Sequence, residues 1–158
     1  MESCRRATPD DLEEIVRLAQ GLREELGSMR GGDVWLAREA RPEPLDETYQ
    51  PLIDHQDALV VVGAIDASAV GFGVAEIETM RTGERLGRVT ELFVEAGARS
   101  VGVGEAMAAT LIDFCTERGC IGIDTMALPG HRATKNFFEE QGFTARSLVM
   151  HRSLRSSE

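Results

Sequence analysis

Apolar and polar positions along this chain change their period several times, and each change marks the boundary of an element. Leu12, Ile15, Val16, Ala19, Leu22 and Leu26 recur at three- and four-residue intervals and make one apolar stripe, the pattern of a helix that lays a single face on a core. Thr8-Pro9-Asp10-Asp11 supplies its start, with an N-cap hydroxyl, a proline at the first helical position and two early acids. Gly27 and the Gly31-Gly32 pair mark its end. A short strand, Cys4 to Ala7, precedes it. Between 38 and 57, Pro42, Pro44 and Pro51 stand among many acids, which predicts a loop and a short helix around Asp46 to His55. Two apolar runs follow, Ala58 to Ile65 and Ala69 to Ile77, joined across Asp66-Ala67-Ser68 as a tightly connected strand pair. Gly71 and Gly73 inside the second run point to a bulge or to the close approach of another element.

After a turn at Gly83 to Gly87 comes a strand at Arg88 to Glu95, and apolar residues at 103, 107, 111, 114 and 115 then restore helical spacing over 102–118. Gly119 is a good residue to end that helix, and Cys120 to Met126 resumes as a strand. A helix between two strands implies a parallel crossover. Pro129-Gly130 opens a helix from about His131 to Gln141, Gly142 ends it, and Phe143 to His151 reads as a last strand. The order, β-α-(α)-β-β-β-α-β-α-β, describes an α/β class fold with a mixed sheet, of the α+β kind. With no internal repeat and no linker, residues 1–158 are expected to form one domain around one core.

The segment Arg99-Ser100-Val101-Gly102-Val103-Gly104 sits where a strand gives way to a helix. Glycine lets backbone approach a phosphate closely, and the unpaired N–H groups of a helix's first turn, carrying roughly +0.5 charge, favour an anion there. A nucleoside-triphosphate loop would need a Gly-Lys-Ser or Gly-Lys-Thr ending, and Lys135 is the only lysine. A dinucleotide fingerprint would need a third small residue where Met107 stands, although Asp124 lies near the position of its ribose acid. Taken alone, the segment is an anion site or an ordinary turn.

Composition narrows the partners. The chain is 42% hydrophobic and 28% charged, ordinary for a soluble protein, and no apolar run approaches the ~20 residues of a membrane span. The N-terminus, Met1-Glu2-Ser3-Cys4-Arg5-Arg6, lacks the apolar centre of a secretory signal, so a cytoplasmic location is expected. Cys4, Cys115 and Cys120 have no C-x-x-C spacing, and His55, His131 and His151 are scattered; free thiols and no metal are expected. The net charge of −10 opposes binding to nucleic acid or an anionic membrane and suits a cationic small molecule or peptide amine.

Arg99, Gly102 and Gly104 spell R-x-x-G-x-G, and here the chain resembles the GNAT superfamily of acetyl-CoA-dependent N-acyltransferases. Leu92-Phe93-Val94, then five positions ending in Arg99, then Gly102-Val103-Gly104 reproduce the family's strand-loop-helix spacing, with Ser100 replacing a common Gly and Ala96 a common Pro. The stretch from His131 to Phe143 resembles the family's second signature, an Asn-led helix ending in an aromatic residue, three further positions and then Gly-Phe. The resemblance covers essentially the whole chain. It implies a mostly antiparallel sheet with one parallel pair splayed to hold CoA, between residues 88–95 and 120–126, and helices on both faces. The backbone of Leu92, Phe93 and Val94 would bind the pantetheine arm and the thioester. Amides of Arg99, Ser100, Val101, Gly102, Val103 and Gly104 would cradle the pyrophosphate. His131 would take the place of a CoA-binding Asn, acetyl-CoA would be the co-substrate, and a homodimer is compatible with the family.

The reaction implied is direct attack of an amine on the thioester. An alkylammonium near pH 7 is neutral to only about one part in a thousand, so a base is required. Glu91, beside the expected thioester, is the leading candidate, with Glu76 and Glu78 as alternatives that suit a cationic substrate equally. Phe138 stands where many members carry a tyrosine that reprotonates the thiolate, and Met126 where some place a catalytic Glu. These departures open an alternative, a catalytically weak CoA-binding module with a regulatory role. Acceptor pockets in such folds are built from the early helices and loops, here roughly 22 to 55, which contain Trp35 and Tyr49.

Overall fold

A computed structural model of the protein describes residues 1–99 and 101–156. Five strands form one sheet in sequence order: β1 (Glu2–Arg6), β2 (Ala58–Ile65), β3 (Ser68–Thr79), β4 (Arg85–Val94) and β5 (Cys120–Asp124). The pairs β1–β2, β2–β3 and β3–β4 are antiparallel, and β5 runs parallel to β4. The predicted mixed sheet is therefore present, with the parallel pair at one edge.

The helices are α1 (Leu12–Gly27), α2 (Gly32–Arg38), α3 (Leu45–Ile53), α4 (Val103–Glu117) and α5 (Arg132–Glu140). Before α1, Pro9–Asp11 forms a single 3₁₀ turn rather than α-helix. The Asp11 carboxylate accepts the Thr8 N–H at 2.8 Å and pairs with Arg5. Arg5, then the Thr8 N–H, hold that carboxyl down at about 2. A further helix, α2, begins at the Gly31-Gly32 pair that the sequence pattern assigns only to the end of α1. Gly31 takes a left-handed φ of 82° there, turning the chain into a new helix instead of a loop.

Alternation along β2 shows how the layers form. Val60 and Val62 pack with Ile15, Leu18 and Leu22 of α1, Trp35 of α2, and Leu45, Tyr49 and Ile53 of α3. Leu59 and Val61 point the other way, towards Val103, Met107, Leu111 and Phe114 of α4. Because both faces are covered, the central strand is an unbroken apolar run rather than a polar-apolar alternation. Helix α4 lies very close to the sheet. A Cβ on Gly63 would stand 2.5 Å from a Val103 methyl, and one on Gly71 would stand 2.7 Å from the Phe93 carbonyl oxygen. The glycine expectation for Gly71 is thus met as close approach.

One predicted element is absent. Residues 143–151 form no strand: Phe143 packs edge-on against Phe138, 5.3 Å between ring centroids, and the chain beyond is exposed, with no ladder partner among the described residues. Its apolar pattern suits a strand, but among the described residues no edge lies alongside to supply backbone hydrogen bonds.

Candidate active site

Strands β4 and β5 pair only from Arg85 to Arg88 against Cys120 to Asp124. Beyond that the Thr125 hydroxyl donates to the Val89 carbonyl at 3.1 Å, and then the two chains part. The opening is lined by Val89–Val94 on one side and Thr125–Leu128 on the other, closed at its ends by Gly102, Gly104 and Glu105 of the α4 start and by His131, Thr134 and Phe138 of α5. Its volume is about 350 Å³. Leu92, Phe93, Val94, Arg99, Gly102, Gly104 and His131 all border it. Val103, the first residue of α4, is buried and does not. Val101 is exposed and does not border the opening, and Ser100 lies outside the described residues.

Helix α4 begins at Gly102, whose φ of 90° only glycine adopts without strain. The Arg99 guanidinium does not point at the loop's interior. It donates to the Val94 carbonyl at 2.8 Å and to Glu25 at 2.7 Å, and stacks 5.7 Å from the Phe93 ring centroid. Its side chain therefore pins the loop to β4 and α1, leaving backbone N–H groups at the helix start as the anion-favouring feature. The His131 ring shares a hydrogen bond with the Thr134 hydroxyl, 2.8 Å from Nδ1.

A β-bulge decides what faces each side of β4. In the β3–β4 ladder, Val74 opposes Glu91 and Ala75 opposes Val89, so Thr90 has no partner of its own. Side chains two apart in a regular strand share a face. Across this bulge they do not: Val89 packs on the α4 side, while Glu91 and Phe93 face α1 to α3. The extra residue turns a carboxylate that would abut α4 towards the α1 to α3 layer.

There Glu91 is only 6% exposed and saturated with donors. Arg41 Nε donates to its Oε1 at 2.8 Å, the Tyr49 hydroxyl donates to the same oxygen at 3.1 Å, and the Thr90 hydroxyl donates to Oε2. The Arg41 fork also donates to Glu76 at 2.8 Å and to Thr90 Oγ1 at 2.9 Å. Burial works against the Arg41 charge, and the two carboxylates more than offset it, so the guanidinium is held more firmly protonated than usual. Burial, then the charge of Glu91, pushes the Tyr49 phenol up, which keeps it a neutral donor. Glu78 is exposed and borders neither cavity.

This network floors a second cavity of about 260 Å³, lined by Arg23, Arg38, Tyr49, Glu76 and Arg88 among others. The two cavities share Leu22, Trp35, Thr90 and Glu91. Trp35 and Tyr49 are thus both buried core residues and cavity walls. Arg41 and Thr90 went unmarked by sequence reasoning: Arg41 sits among prolines with no motif around it, and nothing in Val89-Thr90-Glu91 signals a bulge.

Solved structures share this architecture. A tetramutant of a Bacillus halodurans protein superposes with a TM-score of 0.81 at 18% identity, covering 96% of this chain and 99% of that one. Glucosamine-6-phosphate N-acetyltransferase from Arabidopsis thaliana gives 0.71 at 17% identity, covering 98% and 99%. At these identities the likeness establishes the fold. The family follows from sequence: residues 22–143 match the acetyltransferase (GNAT) family, and the chain belongs to it. A relative, glucosamine 6-phosphate N-acetyltransferase 1 of Oryza sativa subsp. japonica, is 26% identical over 137 residues, 80% of this chain and 81% of that one.

Proposed function

We propose that this protein transfers an acetyl group from acetyl-CoA to a primary amine of a small molecule or peptide. The observation that carries the reading is the meeting of two cavities at Thr90 and Glu91, one bounded by an open strand edge and a helix N-terminus, the other by Glu76 and Glu91 among arginines. The β4 edge that faces β5 lacks a ladder partner from Val89 onward, so the amide groups of a pantetheine arm add there as a further strand alongside Leu92, Phe93 and Val94. The pyrophosphate sits on the amides from Arg99 to Gly104, Ser100 and Val101 included, and His131 borders the arm. Val103 contributes only its backbone.

On the acceptor side, Glu76 holds the incoming ammonium, since only one of its oxygens is engaged by Arg41 among the described contacts. The proton passes through the Thr90 hydroxyl, which borders both cavities, to Glu91. Phe138 has no proton to give, and Tyr49 spends its hydroxyl on Glu91, so the CoA thiolate takes its proton from water. The rice relative is named for an amino-sugar phosphate; Arg38 and Arg88, at the exposed rim of the second cavity, suit an acceptor that carries an anion beside its amine.

The test is release of free CoA thiol across a panel of amines, with and without phosphate or carboxylate groups. Turnover above the hydrolysis background is expected. Binding of acetyl-CoA without turnover on any amine would favour instead the regulatory CoA-binding module, which the saturation of Glu91 and the phenyl ring at 138 support. For the base, Glu91→Gln should lower kcat/KM by roughly 10²–10⁴-fold and alter its pH profile. An unchanged profile would reject Glu91.

A further inference from the structure

The wall that the first cavity presents towards α1 and α2 is more apolar than an acetyl group needs. Leu22 and Leu26 of α1, Trp35 of α2, Phe93 of β4 and Leu128 beyond β5 all border it and pack in one cluster. Leu128 reaches that cluster from the far side of the parting strands. One of its methyl carbons lies 3.8 Å from where a Cβ on Gly31 would stand, so it roofs the chamber against the turn between α1 and α2. The polar groups that border the cavity are engaged or lie elsewhere. Glu25 receives Arg99, the Thr90 hydroxyl donates to Glu91, and the Thr125 hydroxyl donates to the Val89 carbonyl. Glu105 belongs to α4, and His131 caps α5. What this wall offers a ligand is chiefly apolar contact.

A second feature keeps the chamber open. Gly21 sits in the middle of α1, where glycine is the least favourable residue after proline. A Cβ there would stand 3.1 Å from Cζ of Phe93. The missing side chain lets the Phe93 ring lie against α1, and a ring displaced from that place has the cavity beside it to move into. Leu22 and Trp35 border the second cavity as well. They stand between it and the chamber, so a chain lying on the chamber side leaves an amine its approach to Thr90 and Glu91.

We infer, on the reading that the protein is an acyltransferase using CoA, that this chamber holds the acyl chain of the donor, and that the chain is straight, saturated and longer than acetyl. Leu22 and Leu26 are four residues apart, about 6 Å along α1, which sets the chain at about four to six carbons. The bonds change as for acetyl. The amine nitrogen bonds to the acyl carbonyl carbon, the C–S bond breaks with its electron pair going to sulfur, the amine proton passes through Thr90 to Glu91, and the thiolate takes a proton from water.

The test is calorimetry of acetyl-, butyryl- and hexanoyl-CoA without amine, beside kcat/KM of each with one amine. Each buried methylene should lower Kd about fourfold, so butyryl-CoA should bind at least about tenfold more tightly than acetyl-CoA, with kcat/KM no lower. Hexanoyl-CoA should bind at least as tightly as butyryl-CoA. Leu26→Trp fills the chamber, and Gly21→Leu drives the Phe93 ring into it; each should cut the advantage of hexanoyl-CoA over acetyl-CoA by at least about tenfold. Acetyl-CoA binding as tightly as the longer donors overturns the inference and leaves acetyl transfer standing. Tighter binding of the longer donors without transfer to any amine upholds the chamber and overturns the transferase reading. Binding of none of the three overturns both. An equal loss for all three donors in both variants overturns the inference.

Discussion

Glu91 is a carboxylate whose surroundings serve stability and chemistry at once. Two oxygens receive Arg41, Tyr49 and Thr90 in a buried position, and such a cluster is far more costly to break than to omit. Arg41→Met should therefore cost about 3–5 kcal/mol, because it strands Glu91 and half-exposed Glu76 without a counter-charge. Adding Glu91→Gln to that variant should recover part of the loss rather than deepen it. Urea unfolding of the two single variants and the double variant reads this directly, and simple additivity would contradict the coupling. Of this network the sequence revealed Glu91, through its place beside the motif at Leu92-Phe93-Val94, and offered Glu76 as an alternative. Arg41 was hidden because an arginine in a proline-rich loop has no periodicity to place it. Only the packing of α3 against the sheet brings it 50 residues along the chain to Glu91.

Among the elements, those with strong periodicity were legible to within a few residues. The run from Ala58 to Ile65 is a strand over those same residues, and α4 differs from its predicted span by one residue at each end. Where the reading failed, a non-local factor decided. Helix α2 starts with a glycine pair that looks like a terminator, and the strand pattern after Phe143 pairs with no sheet edge among the described residues. The bulge at Thr90 left no residue signature, although it sets which face Glu91 takes. The glycines on β2 and β3 answer close packing instead: α4 over Gly63 and the β4 backbone beside Gly71 leave no space for a side chain. Gly63→Ala pushes a methyl to 2.5 Å from Val103, and overpacking of this kind costs about 1–3 kcal/mol. Combining it with Val103→Ala should give back part of that loss. A thermal melt of each variant checks this, and an undiminished melting temperature for Gly63→Ala alone would show that α4 is looser on the sheet than the contact distance indicates.

At the scale of the whole molecule, the cavity between β4 and β5 is where two halves of the protein meet across little protein. The α1 to α3 layer reaches it through Leu22 and Trp35, the α4 layer through Gly102 and Gly104, and α5 through His131 and Phe138. A ligand filling that space ties all three to both parting strands, so it should stabilise the fold as a unit and not one loop. At a hundred times its dissociation constant, a ligand specific to the folded state contributes about 2.7 kcal/mol. For a chain of this size that corresponds to a rise in melting temperature of roughly 5–10 °C. Acetyl-CoA should produce a rise of that order, and Gly102→Val should abolish most of it. The substitution forces a β-branched side chain into a left-handed φ of 90° at the point where the helix amides gather. Because this variant also strains the free protein, the informative quantity is the ligand-induced shift, measured against each protein's own unliganded melt. A shift in Gly102→Val as large as in the natural chain would mean that the α4 start is not where the ligand's anion is held.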